Sequence, residues 1–305
     1  YEVTGQVVII DIGLDKEYLQ HTPSEYVLTT PEDAFHLYRK PSPYAHKGTQ
    51  GHALIIGGSH GKVGAAILSS KAALLSGCGL VTAYIPECGY NAMQSTFPEA
   101  MALTSGDRYI TDISFDIQQA AIAIGPGLGQ SPDTQAALRD FLNLQQMPLV
   151  IDADALNILS YHKEMIPLLP AGSVITPHPK ELQRLIGDYA DDFEKLEKVK
   201  SFSKEYDLVV VAKNARTMVV YHDMVYINPT GNAALATGGS GDVLTGIIAG
   251  LCAQGYGPVN AAVFAVYLHG LAADIGVKET GPHSFIASDI LRYMGRAYID
   301  IASFC

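Results

Sequence analysis

From His46 onward the sequence is organised by one alternation: short runs of β-branched and small apolar residues separated by longer Ala- and Leu-rich segments with helical spacing. Ala53–Ile56, Leu80–Ile85, Ala121–Ile124, Leu149–Ile151, Ser173–Thr176, Leu208–Ala212 and Met218–Tyr221 read as strands. Strands alternating with helices in this way form βαβ units, so the expected fold is α/β, with a central, largely parallel sheet flanked by helices in a single main domain. Nearly every run ends in a glycine or polar cluster. In open α/β sheets ligands bind beyond the carboxyl ends of the strands, so these clusters are where chemistry is expected. Gly57-Gly58-Ser59, Gly125-Pro126-Gly127-Leu128-Gly129, Asp152-Ala153-Asp154, Thr176-Pro177-His178-Pro179 and Lys213-Asn214 are predicted to converge on one rim.

A chain of 305 residues, 48% hydrophobic and 17% charged, is long enough for one large core of this kind. Its formal net charge of −11 opposes non-specific attraction to nucleic acid or anionic lipid, so a phosphorylated ligand has to be held locally. Cys78, Cys88, Cys252 and Cys305 make no C-x-x-C pair and no zinc spacing, and are expected as reduced thiols. No apolar run approaches the roughly 20 residues needed to span a bilayer, and no secretory layout opens the chain, so a cytoplasmic location is expected. Residues 1–45 differ from the rest, with the strand-like run Val8-Ile9-Ile10-Asp11-Ile12-Gly13 and then the proline-rich Pro41-Ser42-Pro43. They read as an N-terminal appendage and linker ahead of a main domain over 46–305. An opening at Tyr1 rather than Met suggests a piece of something longer.

The most informative segment runs from Asn228-Pro229-Thr230-Gly231-Asn232 to Ala236-Thr237-Gly238-Gly239-Ser240-Gly241-Asp242, and continues into an apolar helix. Successive glycines ahead of a helix leave backbone N–H groups free for an anion, and the helix dipole adds positive charge at the same place. Gly239, Ser240 and Gly241 are therefore the candidate anion hole. Asp242 has two readings: a cap of the helix that opens near Val243, or a base that takes the proton of a hydroxyl attacking a terminal phosphoryl group.

This segment resembles the signature of the ribokinase-like superfamily and, in detail, that of the NAD(P)H-hydrate dehydratase family. The match includes His46-Lys47-Gly48-Thr49-Gln50-Gly51, Gly57-Gly58-Ser59 with Gly64-Ala65-Ala66, Gly125 through Gly129, Asp152-Ala153-Asp154-Ala155-Leu156, Thr176-Pro177-His178-Pro179-Lys180-Glu181 and Asn228 through Asp242, in the family's order. The resemblance implies an ADP- or ATP-driven reaction in which the ring hydroxyl of the S-form of hydrated NADH or NADPH is phosphorylated and phosphate then leaves. Asp242 would be the catalytic base. Substrate contacts would fall on Ala65, Gly127, His178 and Asp242, and nucleotide contacts on Lys213-Asn214-Ala215-Arg216-Thr217 and Gly241.

Each position also has an ordinary structural explanation. Ala65 would serve as close packing, Gly127 as a turn residue, His178 as a loop hydrogen-bonder and Lys213 as a solvated cation. Asn214 stands where the family commonly has Gly; Asn also tolerates left-handed backbone angles, so the turn can survive the exchange.

The resemblance further implies Mg²⁺, with Glu181, Asn157 and Asp152 as candidate neighbours but no assigned ligand, and a homotetramer in which helices such as Ala261–Leu268 pack either at an interface or in the core. It identifies Val8–Gly13 with the last strand of an epimerase domain that precedes the dehydratase in bacterial bifunctional proteins. No epimerase activity is expected here, and the epimerase is a functional partner. The alternative is a ribokinase-like kinase of a sugar or vitamin-precursor alcohol, which shares Gly239-Ser240-Gly241-Asp242 but not His46-Lys47-Gly48 or His178-Pro179. A catalytically silent nucleotide-binding protein is the third reading, and the presence of Asp242 speaks against it.

Overall fold

The computed structural model describes residue 10, residues 12–118 and residues 120–304, so much of the strand-like run at Val8 to Gly13 lies outside the described residues. Ten strands form one sheet: β1 Tyr26–Leu28, β2 His52–Ile56, β3 Leu80–Ile85, β4 Met101–Thr104, β5 Ala121–Ile124, β6 Leu149–Ile151, β7 Val174–Ile175, β8 Val209–Ala212, β9 Met218–Tyr221 and β10 Met224–Ile227. Their spatial order is β1-β10-β9-β8-β7-β6-β5-β2-β3-β4. Every pair is parallel except those of β9, which runs antiparallel to both β8 and β10. The largely parallel sheet expected from the alternation is present, and four of the seven expected strands have the predicted bounds. The sequential order reverses between β2 and β5, where crevices open at the carboxyl ends of such sheets.

Eleven α-helices accompany the described sheet: α1 Lys16–His21, α2 Pro31–Leu37, α3 Val63–Leu75, α4 Tyr90–Thr96, α5 Pro132–Leu144, α6 Ala153–Tyr161, α7 Pro179–Ile186, α8 Asp192–Tyr206, α9 Ser240–Ala253, α10 Pro258–Thr280 and α11 Ala287–Ala302. They cover both faces, and the period of two along β2 assigns each face its core. Ala53 and Ile55 join Val243, Ile247, Phe264, Leu268 and Met294 of α9, α10 and α11. Leu54 and Ile56 join Leu138, Phe141, Leu156 and Leu182 of α5, α6 and α7.

Helix α9, which carries Asp242, is buried along nearly its whole length. It packs closely on α3 because both helices carry small residues at the crossing. A Cβ added to Gly246 would lie 2.1 Å from the Ser69 carbonyl oxygen, and one on Gly250 2.1 Å from Ser76 Oγ. The Ser69 hydroxyl donates to the Asp242 carbonyl at 2.7 Å, so α3 also ties down the first turn of α9.

Two expectations are corrected. Residues 1–45 are not wholly a linker: β1 adds to the sheet edge by pairing with β10, Ala34 of α2 is fully buried, and the Arg39 guanidinium lies 4.1 Å from the Tyr256 ring centroid. Thr30 and Asp33 form a capping box at the start of α2, a local signal outweighed by the polar composition around it. The second correction concerns α10. Its 23 residues are long and apolar enough to cross a membrane, yet 72% of its most apolar window is buried inside the domain. It is a core helix, and Ala261, Ala262, Phe264, Ala265 and Leu268 are fully buried within this chain, which settles their choice between interface and core.

Candidate functional site

Beyond the carboxyl ends of β6, β7 and β8, and against the N-terminus of α9, lies a cleft of about 890 Å³. Its walls include Asp152, His178, the run Lys213 to Thr217, and Gly239 through Asp242, so three of the five predicted rim clusters meet in it. The other two meet beside it. Gly127 sits against α3, where a Cβ would come within 3.1 Å of the Ala65 Cβ and 2.5 Å of the Lys62 carbonyl oxygen. Ala65 and Gly127 therefore touch each other but do not form the wall of the cleft.

The glycine turn bears on the capping reading of Asp242. Gly239, not Asp242, is the N-cap of α9; its φ of +91° and the Leu68 and Ala287 side chains pressed against it leave little alternative to glycine. The helix start makes no side-chain cap, and Asp242 stands in its first turn. Among the described residues no donor reaches the Asp242 carboxylate. Burial, and then the neighbouring Asp152 carboxylate, push its pKa up to about 7, with Lys213 pulling partly the other way. This is a carboxyl balanced between its two protonation states near neutrality, as a general base requires.

Asp152 is the opposite case. Its side chain accepts from Lys213 Nζ at 2.8 Å and from Thr245 Oγ1 at 2.7 Å. Burial opposes its ionisation, but the Lys213 charge and these hydrogen bonds outweigh burial and hold it below the ordinary carboxylate range. Three elements, the end of β6, the end of β8 and α9, are braced through this one carboxylate. Lys213 is thus not a solvated cation: its Nζ lies 3.3 Å from where a Cβ on Gly241 would stand, facing the glycine turn. The next residue, Ala153, is held at φ +51°, a left-handed conformation that costs a non-glycine residue roughly 1 kcal/mol or more. On its far side Asp154 accepts from Lys62 Nζ at 3.0 Å, the Gly129 N–H at 2.9 Å and Gln130 Nε2 at 2.9 Å. The Asp-Ala-Asp segment therefore turns one carboxylate to the cleft and the other to the Gly125–Gly129 loop.

His178 serves as the N-cap of α7. Its Nδ1 accepts from the Lys180 and Glu181 N–H groups, and Glu181 returns a carboxylate to the His178 N–H at 2.9 Å. Burial and then the charge of Lys213 lower its pKa, so the ring reaches the cleft neutral. Asn214 makes its turn without a left-handed conformation, since the only non-glycine residues with positive φ among those described are Ala153, Asp207 and His222. Its side-chain oxygen instead accepts from the Ala215 N–H at 2.8 Å, and Thr217 closes the turn by donating to the Asn214 carbonyl at 3.2 Å. Arg216 donates to the Pro229 carbonyl and joins this turn to the Asn228–Asn232 loop.

Each group proposed as a magnesium neighbour has another task. Asp152 holds Lys213 and Thr245, Glu181 holds the His178 N–H, and Asn157 accepts from Arg184 at 2.7 Å. No group of three or more His, Cys, Asp or Glu suited to a metal ion occurs among the described residues.

Sequence reasoning missed His269, Thr245 and Asp274. Asp274 accepts from the Gly231 N–H and from Asn232 Nδ2 and so fixes the loop ahead of the glycine turn. His269 and Asp274 lie in the apolar helix α10 and Thr245 in α9, where long hydrophobic runs draw attention to packing; a lone polar residue inside such a run was the available signal.

A mostly parallel sheet carrying a glycine turn, a carboxylate and a paired lysine at its rim defines a ribokinase-like α/β protein, and a ribokinase-like superfamily protein from Enterococcus faecalis V583 shares the fold with a TM-score of 0.80 at 26% identity, over 92% of this chain and 98% of its own. Residues 53–296 match the NAD(P)H-hydrate dehydratase family, and the chain belongs to that family. The bifunctional NAD(P)H-hydrate repair enzyme Nnr of Moorella thermoacetica is 38% identical over 308 residues, covering 96% of this chain but 57% of the relative, so the chain spans a little over half of that protein. The ADP-dependent (S)-NAD(P)H-hydrate dehydratase of Bacillus subtilis is 34% identical over 257 residues, 83% of this chain and 91% of the relative. A crystal structure of ADP/ATP-dependent NAD(P)H-hydrate dehydratase from Bacillus subtilis, co-crystallised with ATP/Mg²⁺, superposes with a TM-score of 0.76 at 31% identity, over 90% of this chain and 98% of that one.

Proposed function

We propose that this chain dehydrates the S-form of hydrated NADH and NADPH at the expense of ADP or ATP. The observation that carries the reading is the Asp242 carboxyl, without a hydrogen-bond donor among the described residues, pushed up to about 7 and standing in the first turn of a helix that opens on a glycine turn. Ionised Asp242 takes the proton of the ring hydroxyl as its oxygen attacks the terminal phosphoryl group. The N–H groups of Gly239, Ser240 and Gly241, with Lys213, stabilise the charge on the phosphoryl oxygens. Hydroxide is a poor leaving group and phosphate a good one, so elimination of phosphate with a neighbouring ring proton restores the double bond. Ala65, Gly127 and His178 are proposed to contact the hydrated ring, and Lys213 through Thr217 with Gly241 the nucleotide.

Magnesium is proposed to enter on the nucleotide phosphates with most of its water, which suits a cleft in which Asp152 and Glu181 are already engaged; bound there it would neutralise phosphate charge. A cytoplasmic location accords with the free thiols at Cys78, Cys88 and Cys252. The proposed homotetramer has to use faces other than the interior segment 261–268. The epimerase partner is proposed from the bifunctional relatives, as is the identification of Val8–Gly13 with the end of its domain.

The test is to incubate the protein with hydrated NADH and either ADP or ATP while following NADH absorbance. Recovery with at least one nucleotide is expected. No recovery with either overturns the reading, and accumulation of a phosphorylated alcohol without recovery assigns the chain to the small-molecule kinases.

A further inference from the structure

His269 of α10 has no part in the chemistry just described, yet it lines the cleft and is only 7% exposed. Its Nε2 lies 3.0 Å from the Ser240 carbonyl oxygen and 3.3 Å from Ser240 Oγ. A carbonyl oxygen only accepts, so Nε2 must carry the ring proton. That assignment settles the second contact as well: Ser240 Oγ meets an N–H and is an acceptor there, which leaves its own proton free for another acceptor. The space that Ser240 borders with Gly241 and Asp242 is the cleft. Burial, and then Lys213, hold the ring neutral with a pKa lowered to about 4, so the arrangement does not titrate near neutrality.

The same turn of α10 also holds the other loop of the rim. Thr230 Oγ1 donates to the Tyr267 carbonyl at 2.9 Å, and a Cβ on Gly270 would collide with Thr230 Oγ1 at 2.3 Å. One turn of a buried helix thus fixes the Asn228–Asn232 loop on one side and the start of α9 on the other.

We propose that His269 is a positioning residue that pins the first turn of α9 and presents the Ser240 hydroxyl as a hydrogen-bond donor to the transferring phosphoryl group. This rests on the phosphoryl-transfer reading of the cleft. It adds a side-chain donor to the backbone donors of the anion hole.

The variants His269→Leu and His269→Gln, each alone and with Ser240→Ala, test it in the full chain. Leu removes the donor, whereas the Gln amide N–H can reach the point that Nε2 occupies. His269→Leu is expected to lower kcat roughly ten- to a hundredfold, with KM for the nucleotide changed by less than about threefold. His269→Gln should recover most of that loss, and in the Ser240→Ala background the Leu substitution should cost far less. Unchanged kcat in His269→Leu, a Gln variant no better than Leu, or an undiminished loss in the Ser240→Ala background overturns the proposal.

Nitrogen-15 NMR of the wild-type imidazole gives a readout independent of activity. The Nε2–H tautomer, unchanged between about pH 6 and 8, is expected, and an Nδ1–H tautomer overturns the arrangement. Failure of the wild-type protein to restore NADH removes the proposed function instead, and the tautomer still decides what His269 does.

Discussion

Asp152 and Asp242 face the same cleft with opposite electrostatic fates: Asp152 is paired to Lys213 at 2.8 Å and held below the ordinary range, while Asp242 has no partner among the described residues and is pushed up to about 7. The difference comes from partners rather than from burial alone. Lys213 is spent mainly on Asp152, so its attraction for Asp242 only offsets part of the repulsion that Asp152 adds. A charge-paired carboxylate and one whose pKa is raised towards neutrality thus share a single cleft.

A base must be ionised to act. The rate of NADH recovery is therefore expected to fall as pH drops through about 7, following the titration of Asp242. Asp152→Asn removes the negative neighbour and frees Lys213, and both changes favour the Asp242 anion. The acid limb of the pH–rate profile should then move to lower pH. A limb that stays in place in this variant would mean that another group controls it.

Asp242→Asn should abolish turnover and at the same time stabilise the fold above pH 7. The folded pKa of Asp242 is raised above its unfolded value, so the native state binds an extra proton between about pH 4 and 7. Stability from this group is present at low pH and is lost as pH rises through about 7, where the carboxylate is charged, mostly buried and without a partner among the described residues. Substitution with a neutral isostere removes that cost, on the order of 1 to 3 kcal/mol at pH 8. Urea midpoints of the two proteins at pH 5 and pH 8 check the sign: the gain should be larger at pH 8.

How much of this was legible beforehand differs by element. The central strands β2, β3, β5 and β6 announced themselves because strands buried on both faces read as uninterrupted apolar runs. The short strands at or next to the sheet edges, β1, β4 and β10, did not, because at least half of each lies outside the core and its composition resembles a loop. The glycine turn and Asp242 were legible as a motif, but the place of the helix cap was not, since no sequence pattern distinguishes a cap at Gly239 from one at Asp242. The Asp152 to Lys213 pair spans 61 positions and becomes a contact only when β6, β7 and β8 align in the sheet.

Gly246→Ala tests how α9 is held. A single added methyl would be placed 2.1 Å from the Ser69 carbonyl oxygen, which is backbone and cannot swing aside, so α3 and α9 have to separate. Overpacking of this kind costs about 1–3 kcal/mol. Because Ser69 also donates to the Asp242 carbonyl, the shift should reach the cleft: kcat is expected to fall while nucleotide KM changes little. Stability and activity both equal to wild type would show that α9 is not held by this crossing.

Removing residues 1–40 decides whether the amino-terminal stretch is an appendage or a part of the domain. The deletion strips β1 from β10, takes away the buried Ala34, and ends the contacts of Arg39 with the Tyr256 ring and the Gly255 carbonyl. It also unpairs the buried Lys200 from Glu25, 2.8 Å away. These losses fall on the face of α10 and α11 and on the sheet edge at β10; β10 leads into the Asn228–Asn232 loop of the cleft, but that loop stays held by α10 through Thr230 and Asp274. The truncated protein should therefore unfold at a clearly lower urea concentration, with the slope little changed because the core itself is intact. Its kcat below the transition should stay close to wild type. An unaltered midpoint would return the whole stretch to the status of a linker.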